Sequence, residues 1–196
     1  MKNEVNKIPR KVQCGGRELE LRLMNAGDSN AILAFADALS AHDLLFIERD
    51  IRNPKVVAAW LKQSERGTIT TLLAVSGGTI QACVAVVQDQ LSWSPHVGEI
   101  RAVVSPAMRG TGLGRLLIQE ALTQAVGRGL SKLMARMTPD QRGAIAVFQD
   151  LGFRGEALLR EHVKDAAGRK HDIIIFSLDV NHVEAQMEAY GYDEVF

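Results

Sequence analysis

Cysteine, tyrosine and tryptophan are scarce in this chain: two of each among 196 residues, with Cys14 and Cys83 far apart. Two widely spaced cysteines build neither a disulfide framework nor a zinc site. A chain of this length buries roughly 70% of its unfolded surface and folds without such staples. Net charge is also lacking, with 23 Lys plus Arg against 23 Asp plus Glu. That balance speaks against steering of the whole molecule to nucleic acid or to an anionic membrane, so any anion site is local. No run approaches the ~18 apolar residues of a membrane span. The polar start M-K-N-E-V-N-K-I-P-R-K-V has no apolar centre of the kind a signal peptide needs. Neither a repeat nor a low-complexity tract interrupts the chain. The expectation is a cytoplasmic protein with one domain, bound to neither nucleic acid nor membrane.

What is present is an ordinary globular balance, 46% hydrophobic and 23% charged. Residues 1–16 are polar, contain Pro9 and end in Gly15-Gly16, which predicts a flexible N-terminal arm. From Glu18 to Leu23 the chain alternates as E-L-E-L-R-L, the period of a half-buried strand. Asp28 or Ser29 offers an N-cap for a helix to about Leu39, and Asn53-Pro54 opens another. Thr68–Val75 and Thr79–Val87 flank Gly77-Gly78 as a hairpin, and a third strand covers Val97–Val104. Gly112 to about Arg128 predicts a helix with a wide apolar face. A strand at Leu130–Met137, a helix from Asp140 to Gly152 and strands at Glu156–His162 and Ile173–Leu178 complete a domain over 17–180. Residues 181–196 are read as a tail or short helix. Hairpins together with one strand–helix–strand crossover predict an α/β (α+β) fold, a mixed sheet covered by helices on both faces.

The strongest chemical signal is V-V-S-P-A-M-R-G-T-G-L-G-R-L-L, where a strand ends, a short loop turns and a helix begins. Gly110, Gly112 and Gly114 alternate, which removes the Cβ atoms that keep a bulky ligand off the backbone. Successive N–H groups and the positive end of the helix then suit a pyrophosphate, with Arg109 as a fixed charge beside it. The Lys-Ser/Thr pair of a P-loop is missing, and the spacing G-x-G-x-G is not the dinucleotide fingerprint G-x-G-x-x-G.

This segment resembles the Arg/Gln-x-x-Gly-x-Gly/Ala motif of the GCN5-related N-acetyltransferase (GNAT) superfamily, and D-Q-R-G-A-I-A-V-F-Q-D-L-G-F resembles that family's fourth helix. The resemblance implies a seven-stranded, mostly antiparallel sheet in which the fourth and fifth strands, here Val97–Val104 and Leu130–Met137, splay around the pantetheine arm of acetyl-CoA. It implies coenzyme contacts from the main chains of Val103 and Val104, which pair with the pantetheine amides, and from Arg109, Gly110, Thr111, Gly112, Leu113, Gly114, Arg115, Gln141 and Phe148. It also implies transfer of an acetyl group to an amine of a small molecule or peptide by direct attack. Pairing through the C-terminal strands into a homodimer is common in the family.

Such transfer needs a proton acceptor for the amine, a donor for the developing oxyanion and a proton for the leaving thiolate. Glu99 is the candidate base, with pairing to Arg101 as its structural alternative, and His96 lies nearby in a loop. The backbone N–H of Val104 is the family-based oxyanion donor. Phe148 stands where many members carry the tyrosine that protonates the thiolate, which turns attention to Tyr190 or Tyr192. The same departure leaves open a second reading, a regulatory module that binds coenzyme A without turnover. Asp165, His171 and Asp172 suit a capped, salt-bridged turn better than a metal site, and no metal is expected. The charged stretch His42-Asp43 to Glu48-Arg49-Asp50 lies in the region that closes over the acceptor in this family.

Overall fold

The computed structural model describes residues 8–47 and 49–181. Eight strands form one sheet in the order β1-β2-β3-β4-β5-β6-β8-β7. They are β1 Arg10–Cys14, β2 Arg17–Leu23, β3 Ile69–Ser76, β4 Thr79–Gln88, β5 Val97–Val104, β6 Lys132–Met137, β7 Arg154–Lys164 and β8 Lys170–Asp179. Among the described residues four α-helices accompany them: α1 Ser29–Asp37, α2 Pro54–Glu65, α3 Leu113–Gly127 and α4 Arg142–Asp150. Every neighbouring pair is antiparallel except β5 and β6, which run parallel through the α3 crossover.

The sheet is a partition between two cores. On one face α3 lays Leu113, Leu117, Ile118, Ala121, Leu122 and Ala125 against Val84, Val86, Ile100 and Leu133. On the other, Ile32, Phe35 and Val57 of α1 and α2 pack on Leu73, Cys83 and Val103. Alternation explains the division: along β5, Ile100 joins the first core and Val103 the second, because successive strand side chains point to opposite faces. Asn53 caps α2 by accepting from Lys55 N at 3.0 Å, with Pro54 in the first turn as its fixed φ favours.

Within the stretch read as an arm, residues 10–14 form β1, which pairs with β2 from Arg10↔Leu21 to Cys14↔Arg17 and raises the strand count from seven to eight. Arg10 forms an ion pair with the buried Glu120 of α3. At the other end of β1, Cys14 Sγ lies 3.2 Å from the Thr111 carbonyl oxygen. A Cβ on Gly15 would come within 2.6 Å of Thr111 Cγ2, so the β1–β2 turn supports the glycine turn from behind and requires glycine to do so. The C-terminal tail reading, with Tyr190 and Tyr192, falls outside the described residues.

Candidate functional site

The parallel ladder between β5 and β6 is short. Pairing runs from Val97↔Lys132 to Ile100↔Ala135 and stops short of Ala102–Val104. On its other edge β5 continues to pair with β4 as far as Val104↔Ala82. The strands part toward their C-terminal ends, and this is the expected splay, here between β5 and β6 because β1 shifts the count.

Direction of the main chain follows from one bond. Ser105 N donates to Gln81 O at 2.8 Å on the β4 side. Successive N–H groups of a strand point to opposite edges, so Val104 N–H points into the gap. Val103 directs its main-chain groups to β4 and offers the cleft its side chain. That corrects the expectation that the main chains of both valines line the gap; Ala102, two residues before Val104, shares its direction instead.

The gap widens into a cleft of about 620 Å³, within the range of small-molecule and cofactor sites. Val103, Val104, Arg109, Gly110, Gly112, Gly114, Arg115, Gln141 and Phe148 all line it. Thr111 instead turns inward, its hydroxyl donating to Met108 O at 2.7 Å, and Leu113 is fully buried in the core. Gly112 is the N-cap of α3, with φ 89° and no side chain to satisfy the first N–H groups of the helix. Gly110 also has positive φ, and a Cβ at either position would meet nothing within 4 Å. These glycines are therefore required by backbone conformation beside open space, not by close packing. The N-terminus of α4 also borders the cleft through Gln141, Arg142 and Gly143. Two helix N-termini border the cleft together with Arg109, Arg115 and Arg142, and with Asp43 and Asp140; helix N-termini of this kind favour anionic groups. Arg142 was missed in the sequence; its place in the first turn of the second motif helix was the available signal.

A loop spans the mouth of the cleft. In the short 3₁₀ turn His42–Leu44, Asp43 Oδ1 lies 2.7 Å from Arg109 Nη2, while His42 Nε2 lies 2.6 Å from Asp140 Oδ2 on the opposite wall. Burial works against the Asp43 carboxylate, but hydrogen bonds from Ser40 and Arg109 outweigh it and hold the group below its ordinary range. Behind His42, the His171 ring approaches edge-on with centroids 5.5 Å apart, and His171 Nε2 meets Asp165 Oδ2 at 3.0 Å. Asp165 also takes Arg169, and Asp172 accepts from Glu161 N at 2.8 Å, so these residues organise the β7–β8 turn. The His171 contact, then the bonds from Arg169, lower the Asp165 carboxyl to about 2. The capped, salt-bridged β7–β8 turn is the one expected from the sequence, whereas the Asp43–Arg109 and His42–Asp140 pairs have no sequence signature.

Glu99 faces the α1/α2 side of β5 and takes both arms of Arg101, at 3.1 and 2.9 Å, with Arg136 Nε at 3.7 Å. His96 is exposed in the loop before β5, and its carbonyl receives Ser131 and Lys132. Gln141 Oε1 accepts from Thr138 N at 3.0 Å, so its amide group is the part left to face the cleft. Phe148 is buried edge-on against Phe153 at 4.9 Å.

This geometry has counterparts in known proteins. A mycothiol acetyltransferase of Nocardioides sp. is 41% identical over 59 residues, 30% of this chain and 20% of that protein. A [ribosomal protein bS18]-alanine N-acetyltransferase of Salmonella typhimurium is 30% identical over 78 residues, 40% of this chain and 52% of that protein. The matches thus span from a fifth to about half the length of these curated relatives. Among solved structures, Salmonella typhimurium yncA, determined with its cofactor acetyl-CoA, superposes with a TM-score of 0.70 at 20% identity, covering 83% of this chain and 94% of its own. That likeness is one of fold. The model of the acetyltransferase (GNAT) family matches residues 36–153, more than half of the sequence, and on that match the chain belongs to the GNAT acetyltransferase family.

Proposed function

We propose that the protein transfers the acetyl group of acetyl-CoA to an amine of a small molecule or peptide, in a complex that holds both reactants at once. The observation that carries this reading is the meeting of a cut-short strand ladder with an uncapped helix N-terminus in one cleft. When bound, acetyl-CoA supplies an already activated thioester, so no covalent enzyme intermediate is needed. Arg109, Arg115 and the amides of the Gly110–Gly114 turn hold the diphosphate. The free edge of β5 aligns the pantetheine arm. Val104 N–H donates to the carbonyl oxygen as negative charge develops there, the kind of prepositioned donor that contributes most to acyl transfer.

Glu99 is the proposed proton acceptor for the amine, reached directly or through water from the α1/α2 face. Its lone pairs are engaged by Arg101, so this role requires that pair to part. Glu99→Gln is expected to lower turnover more at low pH than at high pH, where more amine is already neutral; an unchanged pH–rate profile would remove Glu99 from the mechanism. Phe148 cannot donate a proton, so either another group such as Tyr190, Tyr192 or water protonates the thiolate, or product release needs no dedicated acid.

Phe148 also favours a second reading, a regulatory module that binds acyl-CoA without turnover. Calorimetry with acetyl-CoA and thiol release against an amine panel separate the two. Binding with amine-dependent thiol release supports the transferase, and binding with no release from any amine supports the module. No binding at all defeats both.

A further inference from the structure

A second cavity, of about 160 Å³, lies on the α1/α2 face of the sheet. Its floor is the β4–β5 ladder, where Cys83 pairs with Val103 and Ala85 with Arg101. Two small residues in adjacent inward positions leave the room. The roof is one stripe of α2, Val56, Ala59, Trp60 and Gln63, at the i, i+3, i+4 and i+7 spacing of a single helix face. Trp60 is fixed there, its Nε1 donating to Thr71 Oγ1 at 3.0 Å. Burial pushes the Cys83 thiol up to about 12, so Cys83 contributes an uncharged, unreactive thiol to the floor.

Position gives the cavity its meaning. Val103 lines both this cavity and the coenzyme cleft, and it immediately precedes the residue whose N–H faces the gap. From Val103 the floor runs along β5 away from the glycine turn, toward Arg101. A group lodged here therefore hangs from an atom close to the proposed site of acyl transfer. An apolar cavity of about 150 Å³ is enough to take up a molecule the size of benzene.

We infer that this cavity receives an apolar side chain of the amine acceptor, so that the acceptors are primary amines bearing a compact aliphatic or thioether group beside the nitrogen. The inference rests on the transferase reading and adds the class of acceptor to it. Arg49 lines the same cavity, and its positive charge opposes a second cationic group on the acceptor. Ala59 and Ala85 set the size limit from roof and floor.

The test is acetyl-CoA-dependent thiol release with L-leucinamide, L-methioninamide, glycinamide and spermidine as acceptors. The kcat/KM for leucinamide and methioninamide is expected to exceed that for glycinamide and spermidine by at least tenfold, since even one methylene in an apolar pocket is worth roughly tenfold or more. Ala59→Leu and Ala85→Leu are expected to remove most of that advantage, leaving glycinamide turnover and acetyl-CoA affinity within about twofold. Ala59 lies on a half-buried helix face and tolerates the larger residue should the Ala85 variant fail to fold. Thiol release that ignores acceptor size, or a size preference unaffected by Ala59→Leu, overturns the inference and spares the transferase. Absence of release from every amine sinks the transferase reading and the inference with it.

Discussion

Gly112 illustrates what a single residue contributes. Its φ of 89° is a conformation that costs a side-chain-bearing residue about 1–3 kcal/mol, and the space beside it is open. Gly112→Trp is expected to leave a folded protein with a modest loss of stability while abolishing acetyl-CoA binding, as read by calorimetry; unchanged affinity would defeat the diphosphate assignment. Asp165 offers a test of a different kind. Its carboxyl titrates near 2 in the fold against an ordinary value of 3.8. The contribution is therefore complete above about 3.8 and fades as the pH falls toward 2. Asp165→Asn should lower stability at pH 7 by more than at pH 3, measured by urea denaturation at both; an equal loss at both would show that the carboxylate charge is not what holds the β7–β8 turn. The Arg109–Gly114 segment was legible because its glycines and arginine lie together in sequence. The Asp43–Arg109 and His42–Asp140 pairs were not, because their partners are brought together only by the fold.

At the scale of elements, periodicity was a sound guide wherever an element buries one face. β2 was legible because Leu19 and Leu21 are buried while Glu18 and Glu20 are exposed. β1 was not, because R-K-V-Q-C lies at the edge of the sheet, buries no residue fully and is held by main-chain pairing that any sequence can make. The His42–Leu44 turn has the most direct functional consequence. Asp43 neutralises the guanidinium that the diphosphate is proposed to need, and Arg109 cannot serve both anions equally. Asp43→Asn is therefore expected to tighten acetyl-CoA binding several-fold at low ionic strength, with a smaller gain in high salt, where exposed charges are screened. Weaker or unaltered affinity would show that the pair persists in the coenzyme complex.

For the molecule as a whole, hairpins mixed with one crossover were enough to read a mixed sheet between two helical layers. The gap in that sheet was not readable from V-G-E-I-R-A-V-V and K-L-M-A-R-M themselves, because neither carries a break where pairing ceases. It came from the family resemblance, since divergence of two strands is a property of the pair. Leu133, fully buried in the short ladder, ties the sheet to the α3 core. Leu133→Ala is expected to cost about 2–5 kcal/mol in urea denaturation, as truncations that leave a core cavity do. Val103, finally, borders both the cleft and the second cavity. With the two reactants placed as proposed on either side of this one residue, each can bind while the other is in place, and initial-rate plots with both varied should cross rather than run parallel.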